Sequence, residues 1–243
     1  MAGPGSPFGS MGIEAQEASK REVAEAAVRE VDPNQPLALG SGSTVLWVAR
    51  ALAQRFATSP PPRLVVASRG VEEVCRQLSL PLTSLEEVQE FALMLDGADE
   101  VDPALDLIKG GGGALFREKI LARMSRELLI LVDATKRVPR LGARHPLPVE
   151  VVPFARPFVQ RRMEALGLPS VVRSRPGSSQ PFRTDNGNVI LDAPLPAKPF
   201  DARELDRALH AIPGVVETGF FLGMATRVLV AGAPGRVEEL ARS

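Results

Sequence analysis

The stretch Pro36-Leu37-Ala38-Leu39-Gly40-Ser41-Gly42-Ser43-Thr44-Val45 changes period halfway, and that change decides the fold class. Pro36 to Leu39 is an apolar run of strand length that empties into a glycine- and serine-rich turn. After the turn, Val45, Val48, Ala49, Leu52 and Phe56 recur at the three-and-four spacing of an amphipathic helix. The unit is strand, glycine turn, helix. Upstream, Val23, Ala24, Ala27, Val28 and Val31 give a helical face between Glu14 and Val31, and Asp32-Pro33-Asn34 supplies its stop. Downstream, Pro60-Pro61-Pro62 breaks the chain before a strand at Leu64-Val65-Val66 and a helical face at Val71, Val74, Cys75 and Leu78. Phe91 to Leu95 and Leu128 to Val132 read as two more strands, with a helix from about Leu115 to Arg126 between them. Strands apolar throughout that alternate with helices predict an α/β fold, a parallel sheet covered by helices on both faces.

The texture shifts after Pro139, with Pro146, Pro148, Pro153, Pro157 and Pro169 at close intervals and a Ser/Pro/Gly-rich stretch from Arg173 to Pro181 that reads as an exposed connector. Val149 to Val152 suggests a strand, Val159 to Leu166 a helix and Asp201 to Ile212 another. Phe182-Arg183 and Val189-Ile190-Leu191 flank Asp185-Asn186-Gly187-Asn188, which predicts a hairpin. Residues 13–141 together with 214–243 are therefore expected to form the main domain, 142–213 a smaller α+β domain and 1–12 a disordered tail. The closing strand Thr226 to Val230 suits either domain.

Composition removes several classes of function. The chain has 243 residues, 44% apolar and 24% charged, which excludes wholesale disorder and leaves room for one large domain with a smaller companion. The 29 basic residues balance 29 acidic ones, so the footprint of a general nucleic-acid binder is absent and any anion site must be local. No apolar run approaches the ~20 residues of a membrane span, and the first dozen residues carry neither a secretory nor a transit pattern. Cys75 stands alone, and with His145 and His210 it cannot fill a tetrahedral zinc shell, so a reducing, cytoplasmic setting is expected.

Three stretches could carry chemistry. Gly40 to Thr44 lies between a strand and a helix start, where unpaired N–H groups, the positive end of the helix dipole and the hydroxyls of Ser41, Ser43 and Thr44 favour a phosphate. An ordinary capped turn would read the same way. A dinucleotide fingerprint needs a third glycine where Val45 stands, and the nucleotide P-loop needs a Gly-Lys-Ser/Thr that is absent. Asp96-Gly97-Ala98-Asp99-Glu100 follows the strand Phe91 to Leu95, so its carboxylates sit where open α/β sheets place ligands; a solvated capping loop is the alternative, and with no histidine beside it a metal site is not expected. Lys109-Gly110-Gly111-Gly112-Gly113 spends roughly 1 kcal/mol of backbone entropy per glycine relative to alanine. Bare backbone lets several N–H groups converge on an anion, with Lys109 adding a full charge, and Arg117-Glu118-Lys119 opens the helix that follows.

Together these stretches, with Pro146-Leu147-Pro148-Val149-Glu150 and Thr184-Asp185-Asn186-Gly187-Asn188, stand in the order and at about the spacing of one family. From about Ala18 to Val230 the chain resembles ribose-5-phosphate isomerase, type A. The resemblance implies a Rossmann-like domain with a smaller α+β domain. It also implies interconversion of ribose 5-phosphate and ribulose 5-phosphate through an enediolate, in the non-oxidative pentose phosphate pathway, without metal or organic cofactor. The expected partners are a small sugar phosphate and further copies of the chain, as a homodimer or homotetramer, with no nucleic acid and no membrane. Carried over residue by residue, Glu118 would move a proton between C2 and C1, Lys109 and the amides of Gly110, Gly111, Gly112 and Gly113 would stabilise the enediolate oxygen, and Asp96 and Asp99 would handle hydroxyl protons and ring opening. Gly40, Ser41, Gly42, Ser43 and Thr44 would hold phosphate with Lys20 and with Lys136 of Asp133-Ala134-Thr135-Lys136. Ser41 stands where threonine is common, and Ala67-Ser68-Arg69-Gly70-Val71 replaces a Thr-Ser-containing loop, which leaves part of the hydroxyl or phosphate contact without a counterpart. Related readings are an amino-sugar phosphate isomerase or deaminase and a non-catalytic sugar-phosphate sensor; a sensor would lack a placed base, and Glu118 is present.

Overall fold

A computed structural model describes residues 12–232 and 235–242. Residues 1–11 of the expected tail lie outside them. Six strands form the main sheet, in the order β13-β12-β6-β3-β1-β2. They are β1 (Leu37–Leu39), β2 (Leu64–Val66), β3 (Phe91–Asp96), β6 (Ser125–Asp133), β12 (Arg227–Ala231) and β13 (Val237–Ala241). All neighbours run parallel except β13, which is antiparallel to β12.

Why these strands are apolar throughout is visible in their alternation. Leu37, Leu39, Leu95, Leu129, Leu131 and Leu229 project to one face, where α1 (Ile13–Val28), α2 (Ser43–Arg55) and α3 (Arg69–Gln77) cover them. Ala38, Met94, Leu128, Ile130, Val132, Val228 and Val230 project to the other face, against α4 (Leu115–Arg123) and Phe221. With both faces buried, a helix that could bury only one stripe would leave half of this apolar surface in water.

A second sheet, of order β10-β7-β9-β8, joins β7 (Leu147–Val151), β8 (Val171–Val172), β9 (Val189–Ala193) and β10 (Val215–Thr218) around its own core with α5 (Arg156–Ala165) and α6 (Ala202–His210). It takes its edge strand from Val215–Thr218, past the boundary at residue 213 expected from the sequence. The closing strand β12 goes to the main sheet, parallel to β6. A third, three-stranded sheet places β5 (Leu107–Ile108) between β4 (Glu100–Val101) and β11 (Phe220–Phe221). These strands are too short to be seen as a pattern in the sequence, yet they aim the loop at residues 109–113: Lys109 N donates to Gly219 O at 2.9 Å, and Gly219 N to Pro148 O at 2.7 Å.

Two expectations need correcting. The helix expected to reach Arg126 ends at Arg123, because Ser125 is already paired with Phe91 as the first residue of β6. The tight turn after Thr184 forms, with Gly187 N donating to Thr184 O at 2.9 Å, but Phe182-Arg183 does not pair with Val189-Leu191. The antiparallel partner of β9 on that side is β8, with Val171 opposite Asp192. The buried carboxylate of Glu150 is the reason. It accepts from Thr184 Oγ1 at 2.9 Å, Asn186 Nδ2 at 3.1 Å and Asn188 Nδ2 at 2.9 Å, so the turn wraps a carboxylate instead of closing a ladder.

His210, in the last turn of α6, lies 2.9 Å from Glu217 Oε1 through Nε2 and 3.4 Å from Asp206 Oδ1 through Nδ1. Hydrogen bonding to Asp206, and then to Glu217, raises its pKa from 6.5 to about 10. The fold therefore prefers the imidazolium, a preference fully expressed below pH 6.5 and lost as the pH rises towards 10. In urea unfolding, the stability difference between the parent and His210→Gln should be largest below that window and shrink across it; a pH-independent difference would sink the assignment.

Candidate active site

The chain runs from β1 out to β2 and then crosses back to β3 on the other side of β1, so the crevice beyond the carboxyl ends of β1 and β3 is a topological switch point. A cavity of about 210 Å³ opens there. Its wall brings together Lys20, Ser41, Gly42, Ser43, Thr44, Asp99, Lys109, Gly110, Gly111, Gly112, Glu118 and Lys136, most of the residues singled out in the sequence.

Beneath the wall lies a buried ionic cluster. Lys109 Nζ stands 2.8 Å from Asp96 Oδ2 and 3.2 Å from Glu118 Oε2, and donates to Gly97 O at 2.6 Å. Asp96 is fully buried and Lys109 and Glu118 are each only 3% exposed. Desolvation alone would lower the Lys109 pKa, but the charges of Asp96, Glu118 and Asp99 outweigh it and hold the ammonium protonated. Burial pushes Asp96 up to about 7 against the attraction of Lys109, with the Glu118 charge adding to the rise. Asp96 Oδ1 accepts from Gly97 N at 2.7 Å and Ser41 N at 3.2 Å. Glu118 Oε1 accepts from Ser41 Oγ at 2.5 Å, while Glu118 Oε2 receives no directed hydrogen bond. The ring of Phe221 separates this cluster from the next: Lys109 Nζ lies 5.4 Å from its centroid and Lys119 Nζ 4.9 Å. Lys119 turns away to Glu217 Oε1 at 2.6 Å, so consecutive residues of α4 serve the cavity and the small sheet.

At the other end, Gly42 at φ +88° turns the chain into α2 with no side-chain cap. The N–H groups of the first turn therefore lack intrahelical acceptors and carry the positive end of the helix dipole. Lys20 approaches from α1, braced at 2.6 Å by Glu17, whose second oxygen accepts from Trp47 Nε1 at 2.8 Å. Lys136 comes from the short turn after β6, where Asp133 accepts from Thr135 N at 2.8 Å. Two cations and an uncapped helix start suit a phosphate; Glu118 and Lys109 suit an acidic carbon and its oxyanion.

Some expected residues take other places. Asp96 is behind the wall, bonded to Lys109 and the turn. Gly40 does not reach the cavity either: a Cβ there would lie 1.8 Å from Asp96 Cγ, so its bareness makes room for that carboxyl. Gly113, at φ +85°, faces the Phe182 ring, which a Cβ would meet at 2.4 Å. Ser41 spends its hydroxyl on Glu118. The substituted loop at residues 67–71 does not line the cavity: Ser68 caps α3, and Arg69 N donates to Asp185 Oδ2 at 2.8 Å. Gln16 and Asp133 line the cavity and were not expected. Gln16 stands one helical turn before Lys20 on α1, a spacing that could have found it.

The family model for ribose 5-phosphate isomerase A (phosphoriboisomerase A) matches residues 63–235. The chain belongs to that family. Ribose-5-phosphate isomerase A of Roseiflexus castenholzii is 45% identical over 90% of this chain and 94% of its own length, and that of Deinococcus radiodurans 43% identical over 93% and 99%. The solved structure of ribose 5-phosphate isomerase A from Methanocaldococcus jannaschii superposes with a TM-score of 0.87 at 37% identity, covering 93% of this chain and 99% of that one. A D-ribose-5-phosphate isomerase solved in complex with phospho-erythronic acid has a TM-score of 0.87 at 31% identity over 96% and 100%. Among the described residues no helix is long and apolar enough to cross a membrane.

In this isomerase fold Gly40→Ala drives a methyl group into Asp96. The variant should lose about 3 kcal/mol of stability, from overpacking and disruption of a buried ion pair. Urea denaturation within about 0.5 kcal/mol of the parent, as for a surface change, would show that Asp96 moves aside freely.

Proposed function

We propose that this chain interconverts D-ribose 5-phosphate and D-ribulose 5-phosphate, a step of the non-oxidative pentose phosphate pathway, with Glu118 as the base. The observation that carries the reading is the state of the Glu118 carboxylate in the cavity lining: one oxygen is fixed by Ser41, and the other, buried, stands 3.2 Å from Lys109 Nζ without a directed hydrogen bond. The phosphate is held by the N–H groups and hydroxyls of Ser43 and Thr44 with Lys20 and Lys136, which orients the open-chain sugar towards Glu118. Glu118 takes the proton from C2, the electron pair forms the C1–C2 double bond, and the oxyanion left on O1 is met by Lys109 and the glycine-loop amides. The O2 hydroxyl proton passes to O1, and Glu118 returns its proton to C1 as the carbonyl forms at C2. Asp99, in the cavity wall, is the group for hydroxyl proton transfer and ring opening; Asp96 acts from behind by holding Lys109. Every step uses groups that the chain itself supplies.

The same proposal includes a cytoplasmic location and a homodimer or homotetramer. Support for self-association is the apolar surface around α5, where Phe154 is 96% exposed beside half-exposed Val152, Phe158 and Leu166. Sedimentation at micromolar concentration should show a species larger than the 26.0 kDa chain.

Glu118→Gln keeps size and hydrogen bonding but cannot accept a proton, so turnover of ribose 5-phosphate should fall by about 10²-fold or more with substrate binding retained. Exchange of the C2 proton with solvent should fall equally, and unchanged exchange would assign the base to another carboxylate. Ser43→Ala with Thr44→Ala should raise KM with a smaller effect on kcat, because both hydroxyls lie at the phosphate end; an unaltered KM would place the phosphate elsewhere.

A further inference from the structure

Arg173 opens the stretch that the sequence presents as a connector, yet its side chain is only 16% exposed and all three guanidinium nitrogens are engaged, on two sides. On one side it forms a fork with Asp192 on β9: Nε donates to Oδ2 at 2.9 Å and Nη2 to Oδ1 at 2.5 Å. On the other, Nη1 donates to Gly110 O at 2.8 Å and to Gly111 O at 2.9 Å. The segment is itself fixed, because Arg173 N donates to Ile190 O at 2.9 Å and accepts at its own carbonyl from Phe182 N at 2.8 Å, and the Phe182 ring packs on Gly113.

A trans peptide is planar, with its C=O and the following N–H pointing in opposite directions. Holding two consecutive carbonyls therefore sets the direction of two N–H groups. The peptide between Gly110 and Gly111 is held at both ends, since Gly111 N donates to Asp99 Oδ2 at 2.7 Å. The peptide between Gly111 and Gly112 is held only at its carbonyl, and among the described residues no protein atom accepts from Gly112 N. Gly112 lines the cavity, and a Cβ on it would lie 3.7 Å from Ser41 Oγ, the hydroxyl that fixes Glu118. Four glycines in a row have no conformational preference of their own. One turn bond of its own, from Gly113 N to Gly110 O at 3.0 Å, and this external fork together give the loop one.

We propose that Arg173 is a positioning residue that turns the Gly112 N–H towards the enediolate oxygen, with Asp192 holding the guanidinium in place. The proposal rests on the isomerase reading for the identity of that oxygen. An oriented amide contributes to the transition state more than to ground-state binding, so its loss is read in kcat. The phosphate end, on α2, shares no contact with Arg173 and serves as the internal control.

The test uses the full chain with Arg173→Ala, Arg173→Lys and Asp192→Asn. With ribose 5-phosphate, Arg173→Ala should lower kcat by about tenfold or more, with KM within about twofold of the parent, and added guanidinium should restore part of the rate. Arg173→Lys should not rescue, because one ammonium cannot form the fork and reach two carbonyls. Phospho-erythronic acid presents a planar carboxylate at the end remote from its phosphate. Its affinity should fall by about tenfold in Arg173→Ala while that of inorganic phosphate stays at the parent value, and its shift of the 15N-labelled Gly112 amide, clear in the parent, should collapse. Parent-like kcat and phospho-erythronic acid affinity in Arg173→Ala would overturn the proposal. So would equal loss of both ligands, the mark of a merely structural role. Should Arg173→Ala fail to fold, Asp192→Asn decides by the same two affinities. If the parent binds phospho-erythronic acid with the Gly112 shift but does not isomerise ribose 5-phosphate, the proposed function fails while the positioning of Gly112 by Arg173 stands.

Discussion

A buried ammonium group next to two carboxylates is the constraint on which the site depends. Removing three ionised groups from water is unfavourable unless their attraction and further hydrogen bonds compensate, and removing one partner from such a cluster costs about 3–5 kcal/mol. Around Lys109 the compensation is specific: the carbonyl of Gly97, the carboxyl of Asp96 and the far oxygen of Glu118. Each of those is secured in turn, Asp96 by the amides of Ser41 and Gly97 and Glu118 by the Ser41 hydroxyl. Even the missing side chain of Gly40 belongs to this arrangement, since only hydrogen fits beside Asp96. With Asp96 near neutrality in its pKa, one acid proton can relieve the excess negative charge without releasing the lysine.

The placement of this cluster follows from the sheet. β1 and β3 deliver Gly40 and Asp96 to the same spot because parallel strands all end on one edge, while β5 of the antiparallel three-stranded sheet brings in Lys109 and α4 then returns Glu118 to it. The neighbouring Lys119 turns to the small sheet, where it joins Glu217 and His210. A single helical turn thus carries both the proposed base and the attachment of the helix that bears it.

Much of this was legible in the sequence, for physical reasons. Continuous apolar strands required two covered faces, and glycine runs next to a lysine and a carboxylate required some ligand to repay their entropy. Other features were hidden because they depend on contacts between distant residues. Nothing local in Phe182-Arg183 shows that Glu150 has drawn the following turn around itself. The two-residue strands β4, β5 and β11 carry no period at all. Gly40 and Asp96 read as binding residues, and only the packing shows one making room for the other behind the cavity wall. Arg173 sits in a stretch whose Ser, Pro and Gly content resembles any exposed connector.

The pairing of β5 with β11 also bears on how the molecule is made. Every residue proposed to meet the substrate lies between Lys20 and Lys136, so the first part of the chain holds the whole chemical inventory. Yet the backbone of Lys109 is anchored to Gly219, and Phe220 and Phe221 lie alongside Ile108 and Leu107. During synthesis the ribosome must release the chain beyond Phe221 before the lysine can settle into its buried position, and β12 must still dock beside β6. Until then the nascent chain carries its reactive groups without the enclosure that pairs them.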